Sequence, residues 1–203
     1  MQNETKIQLS SFEQSLLKNA DWILTKNAII EKMKQLLQQC LEKQQESIQS
    51  KHFLLPEEVN SASPKISRGE NYQGLPWLML DYPRYFDKEN IFAIRTFFWW
   101  GHYFSTTVHL AGAYKNIFEE KIIANYQSLK EQSFYLCINK EEWEHHFHED
   151  NYRSIKDISV NEFQQFITEK KFIKLSVKFE LDKWHELPLL SASIHKTIFE
   201  MLY

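Results

Sequence analysis

One stretch, from Gly69 to Gly112, constrains the fold of this 203-residue chain more than any other part. It contains all four glycines of the chain, and prolines, a polar loop and a Gly-His pair separate its apolar runs. Aromatic and β-branched residues dominate these runs, and such residues are typical of β-strands. The stretch therefore predicts the central meander of an antiparallel sheet, with strands over roughly 75–82, 91–100 and 103–110.

The Gly101-His102 link leaves the register of the second hairpin open. A two-residue turn, which glycine chemistry favours, puts Arg95 opposite Val108. One more loop residue moves Arg95 onto the face of three polar side chains, and the cost of burying a charge among apolar neighbours favours this alternative. Those side chains are Ser105, Thr107 and His109. Both registers predict a tight hairpin over 99–104, although a one-residue slip turns every side chain to the opposite face.

Helices are predicted on both sides of the central stretch. Apolar residues at three- and four-residue spacing predict an N-terminal helical segment over 10–50 and a middle helix over 114–130. Ser159 opens a further helix with capping-box spacing, and Pro188 suits the first turn of a C-terminal helix. The segment 141–150 is highly charged and is also assigned to a helix.

Two further strands complete the predicted sheet. The short apolar run over 133–138 and the alternating run over 172–181 both have strand character, and the lysines of the second suit an edge strand. We therefore predict a single α+β domain over residues 1–203. In it, roughly five antiparallel strands pack against N-terminal, middle and C-terminal helices.

Composition restricts the function classes. A net charge of -3 offers no basic field for nucleic acid, and no apolar run approaches the length of a membrane span. Cys40 and Cys137 are the two cysteines, each in an apolar context, so a reducing compartment is expected. The start of the chain lacks the pattern of a signal peptide. We therefore expect a soluble cytoplasmic protein without a nucleic-acid or membrane partner, and its oligomeric state stays open.

Five side chains of the central stretch are candidate ligand-binding residues. They are Tyr72, Asp81, Arg95, Thr107 and His109. A charge inside an apolar strand needs a partner or a ligand. One alternative is a structural pair of Arg95 with Asp81 or a glutamate, beside a hydrogen-bonded core histidine. The other is a site in which Arg95 clamps an anion and His109 acts as acid or base.

The densest set of metal-ligand residue types is the segment 143–150, WEHHFHED. On a helix, Glu142 and His145 would have the spacing of carboxylate-bridged metal sites, and His145 with His148 could chelate zinc. Both arrangements require additional ligands that the sequence does not identify. We therefore expect a solvated charged segment without a tightly bound metal. The chain also lacks nucleotide-binding and nucleophile motifs, so no cofactor is expected.

Two functional hypotheses follow. The first is a binding protein whose pocket beside the central sheet takes a small acidic or aromatic ligand, or whose surface contacts a protein partner. The second is an enzyme of unknown reaction, with acid–base chemistry at His109 and an anion held by Arg95. An enzyme requires that both residues converge on an open cavity, so geometry discriminates between the hypotheses.

Overall fold

The computed structural model describes residues 7–49 and 55–203 and has an α+β fold built on one antiparallel sheet. This confirms the predicted fold class, with seven strands instead of about five. The strands are β1 (Lys65–Tyr72), β2 (Leu75–Phe86), β3 (Ile91–Trp99), β4 (Tyr103–Ala111), β5 (Tyr135–Cys137), β6 (Tyr152–Ser154) and β7 (Phe172–Glu180). Their spatial order is β1-β2-β3-β4-β7-β5-β6, so the last strand of the chain lies inside the sheet.

Seven α-helices lie in the described part of the chain. They are α1 (Ser11–Lys18), α2 (Ala20–Gln49), α3 (Glu57–Ser61), α4 (Ala113–Ala124), α5 (Tyr126–Glu131), α6 (Val160–Glu169) and α7 (Leu187–Leu202). None of these described helices has the length and apolar character that crossing a membrane requires. The predicted helical segment ends at residue 50, which lies outside the described residues. Residues 1–6, on which the signal-peptide prediction depends, also lie outside them.

The chain forms two compact units. One comprises residues up to Gln35 and therefore contains α1, while the other is Leu36–Tyr203 and contains the sheet. In the first unit, Ser10 and Glu13 form the capping box that starts α1. The single domain expected over residues 1–203 stays a prediction.

The β3–β4 hairpin has the longer of the two connections considered from the sequence. Trp99 pairs with Tyr103, so three residues form the link, and Arg95 pairs with Thr107. Gly101 has a φ of 73°, the left-handed conformation typical of three-residue hairpin loops. The predicted tight hairpin is confirmed, and Arg95 shares its face with Thr107 and His109.

One face of the sheet packs on helices. Phe92, Ile94, Val108 and Leu110 of the central strands lie in a large apolar cluster with residues of α4, α6 and α7. A capping box of Ser159 and Glu162 starts α6, as predicted. This face is the main hydrophobic core, and its burial of apolar area is the dominant stabilising contribution to the fold.

The prediction of an edge strand over 172–181 is wrong. Strand β7 pairs with β4 on one side and with β5 on the other. Lys174 is consequently buried, with 1% of its surface exposed. The alternation of polar and apolar residues correctly separates two faces, but the polar face is covered by protein instead of water.

The cover is the segment of residues 138–151, here termed the covering loop. Its residues 141–150 contain no helix, so the helical assignment is wrong. The loop is anchored by side chains that point into the sheet: Trp143 contacts His109, His145 contacts Phe97, and Phe147 packs on Tyr103 and on strands β5 and β6. Long-range contacts with the sheet determine the conformation of the covering loop, and they override any local preference for helix.

Candidate functional site

A row of polar side chains crosses the covered face of the sheet. Asp81 pairs with Arg95, Arg95 with Thr107, and Thr107 with Ser176, on four adjacent strands. The Thr107 and Ser176 hydroxyl oxygens are 2.6 Å apart. Strand geometry directs such directly opposite residues to one face. The row therefore brings together three of the five residues selected from the sequence, and His109 joins them two positions along β4.

Arg95 lies at the centre of this row, and its guanidinium nitrogens differ in their contacts. Its Nε donates a 2.7 Å hydrogen bond to Oδ1 of Asp81, and the exposed fractions of the two side chains are 12% and 7%. The guanidinium carbon lies 5.5 Å from the Phe86 ring and 5.6 Å from the Trp143 ring. Its Nη1 is buried and has no hydrogen-bond partner among the described residues. Arg95 is thus ion-paired through one nitrogen and unsatisfied at another.

His109 is fully buried, and its Nε2 lies 3.1 Å from Oε2 of Glu142 in the covering loop. Burial lowers the pKa of His109 to about 4, whereas the hydrogen bond from His109 lowers the pKa of Glu142. The imidazole is therefore neutral at pH 7 and the carboxylate can only accept. The proton must lie on Nε2, which leaves Nδ1 as an acceptor, and Nδ1 has no partner among the described residues.

Lys174 completes the site, and the sequence reasoning missed it. Its Nζ donates a 2.9 Å hydrogen bond to the backbone oxygen of Glu142 and another to that of Glu144. Burial lowers the pKa of Lys174 to about 8. Its position opposite His109 follows from the β4–β7 pairing. Only the polar alternation of β7 could have indicated it, and that pattern also fits an exposed strand.

Tyr72, the fifth predicted residue, lies at the end of β1 and holds the covering loop. Its hydroxyl donates a 2.9 Å hydrogen bond to Oε2 of Glu144. The same hydroxyl accepts from the backbone N–H groups of His145 and His146, at 2.8 and 3.0 Å. Burial raises the pKa of Tyr72 to about 12, so the phenol keeps its proton. Its contacts are therefore those of an anchor for the loop.

The histidines of the covering loop are not grouped as the sequence predicted, because His145 lies apart from His148. His145 packs against Phe97, with ring centroids 5.0 Å apart, and burial lowers its pKa well below the ordinary range. Glu142 turns to His109 and does not form an E-x-x-H pair with His145. The potential ligand atoms that do cluster, within 4.8 Å of one another, belong to His146, His148 and Asp150.

A cleft of about 1070 Å³ opens beside the covering loop. Its apolar wall is formed by Ala111, Gly112, Ile138, Trp143, Phe166 and Phe172. Five lysines and four glutamates also line it, so the rim carries no strong net charge. Arg95 and His109 are not part of this lining. Trp143, with 50% of its surface exposed, lines the cleft and contacts both of them, and the lining residues Glu142 and Phe172 also contact His109.

A buried donor at Arg95 and a buried acceptor at His109 lie behind one half-exposed indole, with every charge nearby countered by another. Comparisons with known proteins add no family: no family model, curated protein or solved structure matches this chain.

Proposed function

We propose that this protein binds a small, flat and neutral ligand with a hydrogen-bond acceptor and donor side by side, as in a carboxamide. The ligand would enter from the cleft beside the covering loop and reach the buried pair of Arg95 and His109. This narrows the ligand-binding hypothesis drawn from the sequence, which allowed an acidic or an aromatic ligand.

The observation that carries the proposal is the pair of unpartnered nitrogens. Nη1 of Arg95 is a donor and Nδ1 of His109 is an acceptor, and both residues contact Trp143. Leaving a buried polar group unpaired costs about 1–3 kcal/mol. A carboxamide oxygen would accept from Arg95 while its N–H donates to His109, so one ligand group would satisfy both.

The charges around the pair favour a neutral ligand over an anion. Arg95 and Lys174 supply two positive charges, and Asp81 and Glu142 supply two negative ones. An anionic ligand would add a charge that no neighbouring residue offsets, and an unpaired buried charge is costly. Asp81 therefore supports this reading, because it already neutralises the guanidinium.

Trp143 provides the route between cleft and pair. Its ring packs on Phe86 at 6.4 Å and over the guanidinium of Arg95, and half of it is exposed. A flat ligand ring would take the place of the indole or stack beside it. Tyr72 would hold the covering loop from Glu144 onward in place while the Trp143 side chain moves, and Thr107 lies opposite Arg95 in the same row.

The enzyme hypothesis has less support. Acid–base catalysis at His109 requires a cavity that both His109 and Arg95 line, and neither lines the cleft unless Trp143 moves aside. A pKa of about 4 also makes His109 a weak base. A protein partner is less favoured than a small molecule because the unsatisfied groups lie below the surface, behind Trp143.

We further propose that the protein works in the reducing cytoplasm. Cys40 and Cys137 are both buried and unpaired. Burial raises the pKa of Cys40 to about 11, which keeps its thiol protonated and unreactive. Two buried free thiols are typical of proteins that do not meet an oxidising compartment.

Three aromatic probes test the ligand class: benzamide has an acceptor and a donor, methyl benzoate has only an acceptor, and benzoate is charged. Binding is followed by the indole N–H signal of Trp143, assigned by its loss in Trp143→Phe. We expect benzamide to bind most tightly, and Arg95→Met and His109→Phe each to weaken it at least about tenfold. Arg84→Met is the control, since Arg84 donates to the backbone oxygen of Ser63 instead.

Equal affinity for the three probes would contradict the proposal, as would the absence of any shift in the Trp143 signal. Tighter binding of benzoate than of benzamide would show that the site prefers an anion to a neutral ligand. Each variant is first checked for folding by circular dichroism, so that loss of binding is separated from loss of structure.

A further inference from the structure

We propose that His146, His148 and Asp150 form a binding site for a divalent transition-metal ion of the zinc class. This departs from the sequence-based expectation of no tightly bound metal, which considered His145 and His148 on a helix. The structure instead groups a different set of residues on a loop. The proposal is independent of the proposed ligand function, because none of these three residues contacts Arg95 or His109 in the contacts described above.

The three side chains already converge. One ligand atom from each lies within 4.8 Å of the others. Nδ1 of His146 is 3.8 Å from Oδ1 of Asp150, and the rings of His146 and His148 have centroids 4.6 Å apart. Ligand atoms around a tetrahedral zinc ion at ~2.1 Å are ~3.4 Å apart, so small side-chain rotations complete the site.

His146 is the buried member and has a nitrogen available to a metal. Its side chain is 7% exposed, and its Nδ1 has no hydrogen-bond partner among the described residues. Its Nε2 lies 3.5 Å from Oε2 of Glu144, on the other side of the ring. A metal bound at Nδ1 would place the ring proton on Nε2, where the carboxylate of Glu144 can receive it.

This arrangement matches the usual surroundings of a metal-binding histidine. Such residues almost always donate their second ring N–H to a carboxylate, a carbonyl or water, which orients the ring and raises its basicity. Glu144, whose Oε2 lies 3.5 Å from Nε2 of His146, would supply the carboxylate here. Glu144 is itself fixed, because the Tyr72 hydroxyl donates a 2.9 Å hydrogen bond to the same Oε2 atom.

The backbone that carries the three residues is also fixed. The side-chain amide of Asn151 donates to the backbone oxygen of His146. The backbone oxygen of His148 accepts from the N–H groups of Asn151 and Tyr152, at 2.9 and 3.0 Å. Asn151 is buried and Tyr152 begins β6, so the sheet positions this end of the covering loop.

The donor set selects the class of ion. Two imidazole nitrogens and one carboxylate oxygen suit Zn²⁺ and its neighbours Co²⁺ and Ni²⁺, whereas Mg²⁺ and Ca²⁺ prefer oxygen donors throughout. Three protein ligands leave a fourth position for water, as in zinc sites that are not purely structural. His148 and Asp150 are exposed, so an ion can enter from solvent.

The test is Zn²⁺ titration of the chelator-treated full chain by calorimetry, with Co²⁺ absorption spectra as a second readout. We expect one ion per chain and visible absorption typical of a four-coordinate Co²⁺ site. His148→Ala and Asp150→Asn should each weaken Zn²⁺ binding at least tenfold. Glu144→Gln should weaken it about 10- to 100-fold, although Glu144 is not a ligand. The exposed His185 provides the control, and His185→Ala should leave binding unchanged.

Failure of the parent protein to take up Zn²⁺ would overturn the proposal. So would equal affinities for the parent, His148→Ala and Asp150→Asn, because uptake would then occur elsewhere. If Glu144→Gln alone binds like the parent, the ion is held by surface side chains only, and the built site is rejected. Mg²⁺ titrated in place of Zn²⁺ should produce no saturable signal.

Discussion

Arg95 and Asp81 face each other across β2 and β3, joined by a 2.7 Å hydrogen bond from Nε to Oδ1. Both side chains are largely buried, and the pair leaves Nη1 of Arg95 unsatisfied. Arg95 therefore forms the structural pair that one alternative predicted from the sequence, and the proposed ligand would use its remaining donor at Nη1. The first prediction separates these contributions.

Arg95→Met should destabilise the protein by about 3 kcal/mol or more, because it strands the buried carboxylate of Asp81. Urea unfolding of the variant beside the parent measures the difference. The double variant Arg95→Met with Asp81→Asn should recover part of the loss, since the stranded charge is gone. Arg84→Met should cost less than about 1 kcal/mol. An Arg95→Met protein as stable as the parent would show that the guanidinium is not structural.

His109 should make stability depend on pH between 7 and 5. Its folded pKa of about 4 lies below its ordinary 6.5, so the unfolded chain binds more protons in this range. The stability contributed by neutral His109 is complete above pH 6.5 and is lost as the pH falls through 4. The parent should therefore lose about 2 kcal/mol between pH 7 and 5 from this residue.

His109→Gln isolates that contribution by difference from the parent. The comparison is needed because burial also lowers the pKa of His145 and His195. Glu142 does not interfere, because its pKa is lowered from 4.5 and its contribution is lost only at more acidic pH. His185→Gln, at an exposed position, is the matched control. An unchanged slope in His109→Gln would contradict the prediction.

Lys174→Met should release the covering loop. The substitution removes the donor to the backbone oxygens of Glu142 and Glu144, which lie in the loop. Each stranded carbonyl costs about 1–3 kcal/mol, or recovers by exposing itself to water. Hydrogen exchange followed by mass spectrometry should therefore speed up over residues 138–151. Lys178→Met, on the same strand and one-third exposed, should leave exchange there unchanged.

Gly112→Ala should be more harmful than Gly74→Ala. Both glycines have positive φ, so alanine is strained at either position. At Gly112 a Cβ atom would also collide with the backbone oxygen of Glu89 and with Oδ1 of Asn90, whereas nothing lies within 4 Å at Gly74. Urea unfolding should show at least about 1 kcal/mol between the variants. Equal losses would refute the steric reason.

Local patterns predicted local structure well. Alternation and aromatic content located β2, β3 and β4, and the capping box at Ser159 located the start of α6. The β3–β4 register depended on the length of the link around Gly101, which local patterns did not determine. The cost of burying Arg95 indicated the correct alternative. Glycine chemistry alone indicated the wrong one, because left-handed glycines also serve three-residue links.

The covered face could not be predicted from patterns of this kind. A polar residue at every second position identifies one face of a strand, but it does not identify what lies against that face. Lys174 and Glu142 are far apart in the sequence and meet only because β7 lies beside β4 and the covering loop folds over both. Loop conformation likewise turned His145 inward and brought His146 beside Asp150.

The position of β7 has a consequence for the order in which the protein is made. Strands β1 to β4 are complete at Ala111, but the partner of β4 begins only at Phe172. During synthesis the growing chain therefore carries an unprotected strand edge at β4, which is a site for pairing with other nascent chains. The same strand brings Lys174, so the covering loop receives this one of its anchors only after β7 has been made. Because this pairing is distant in sequence, it is also expected to be the slow step.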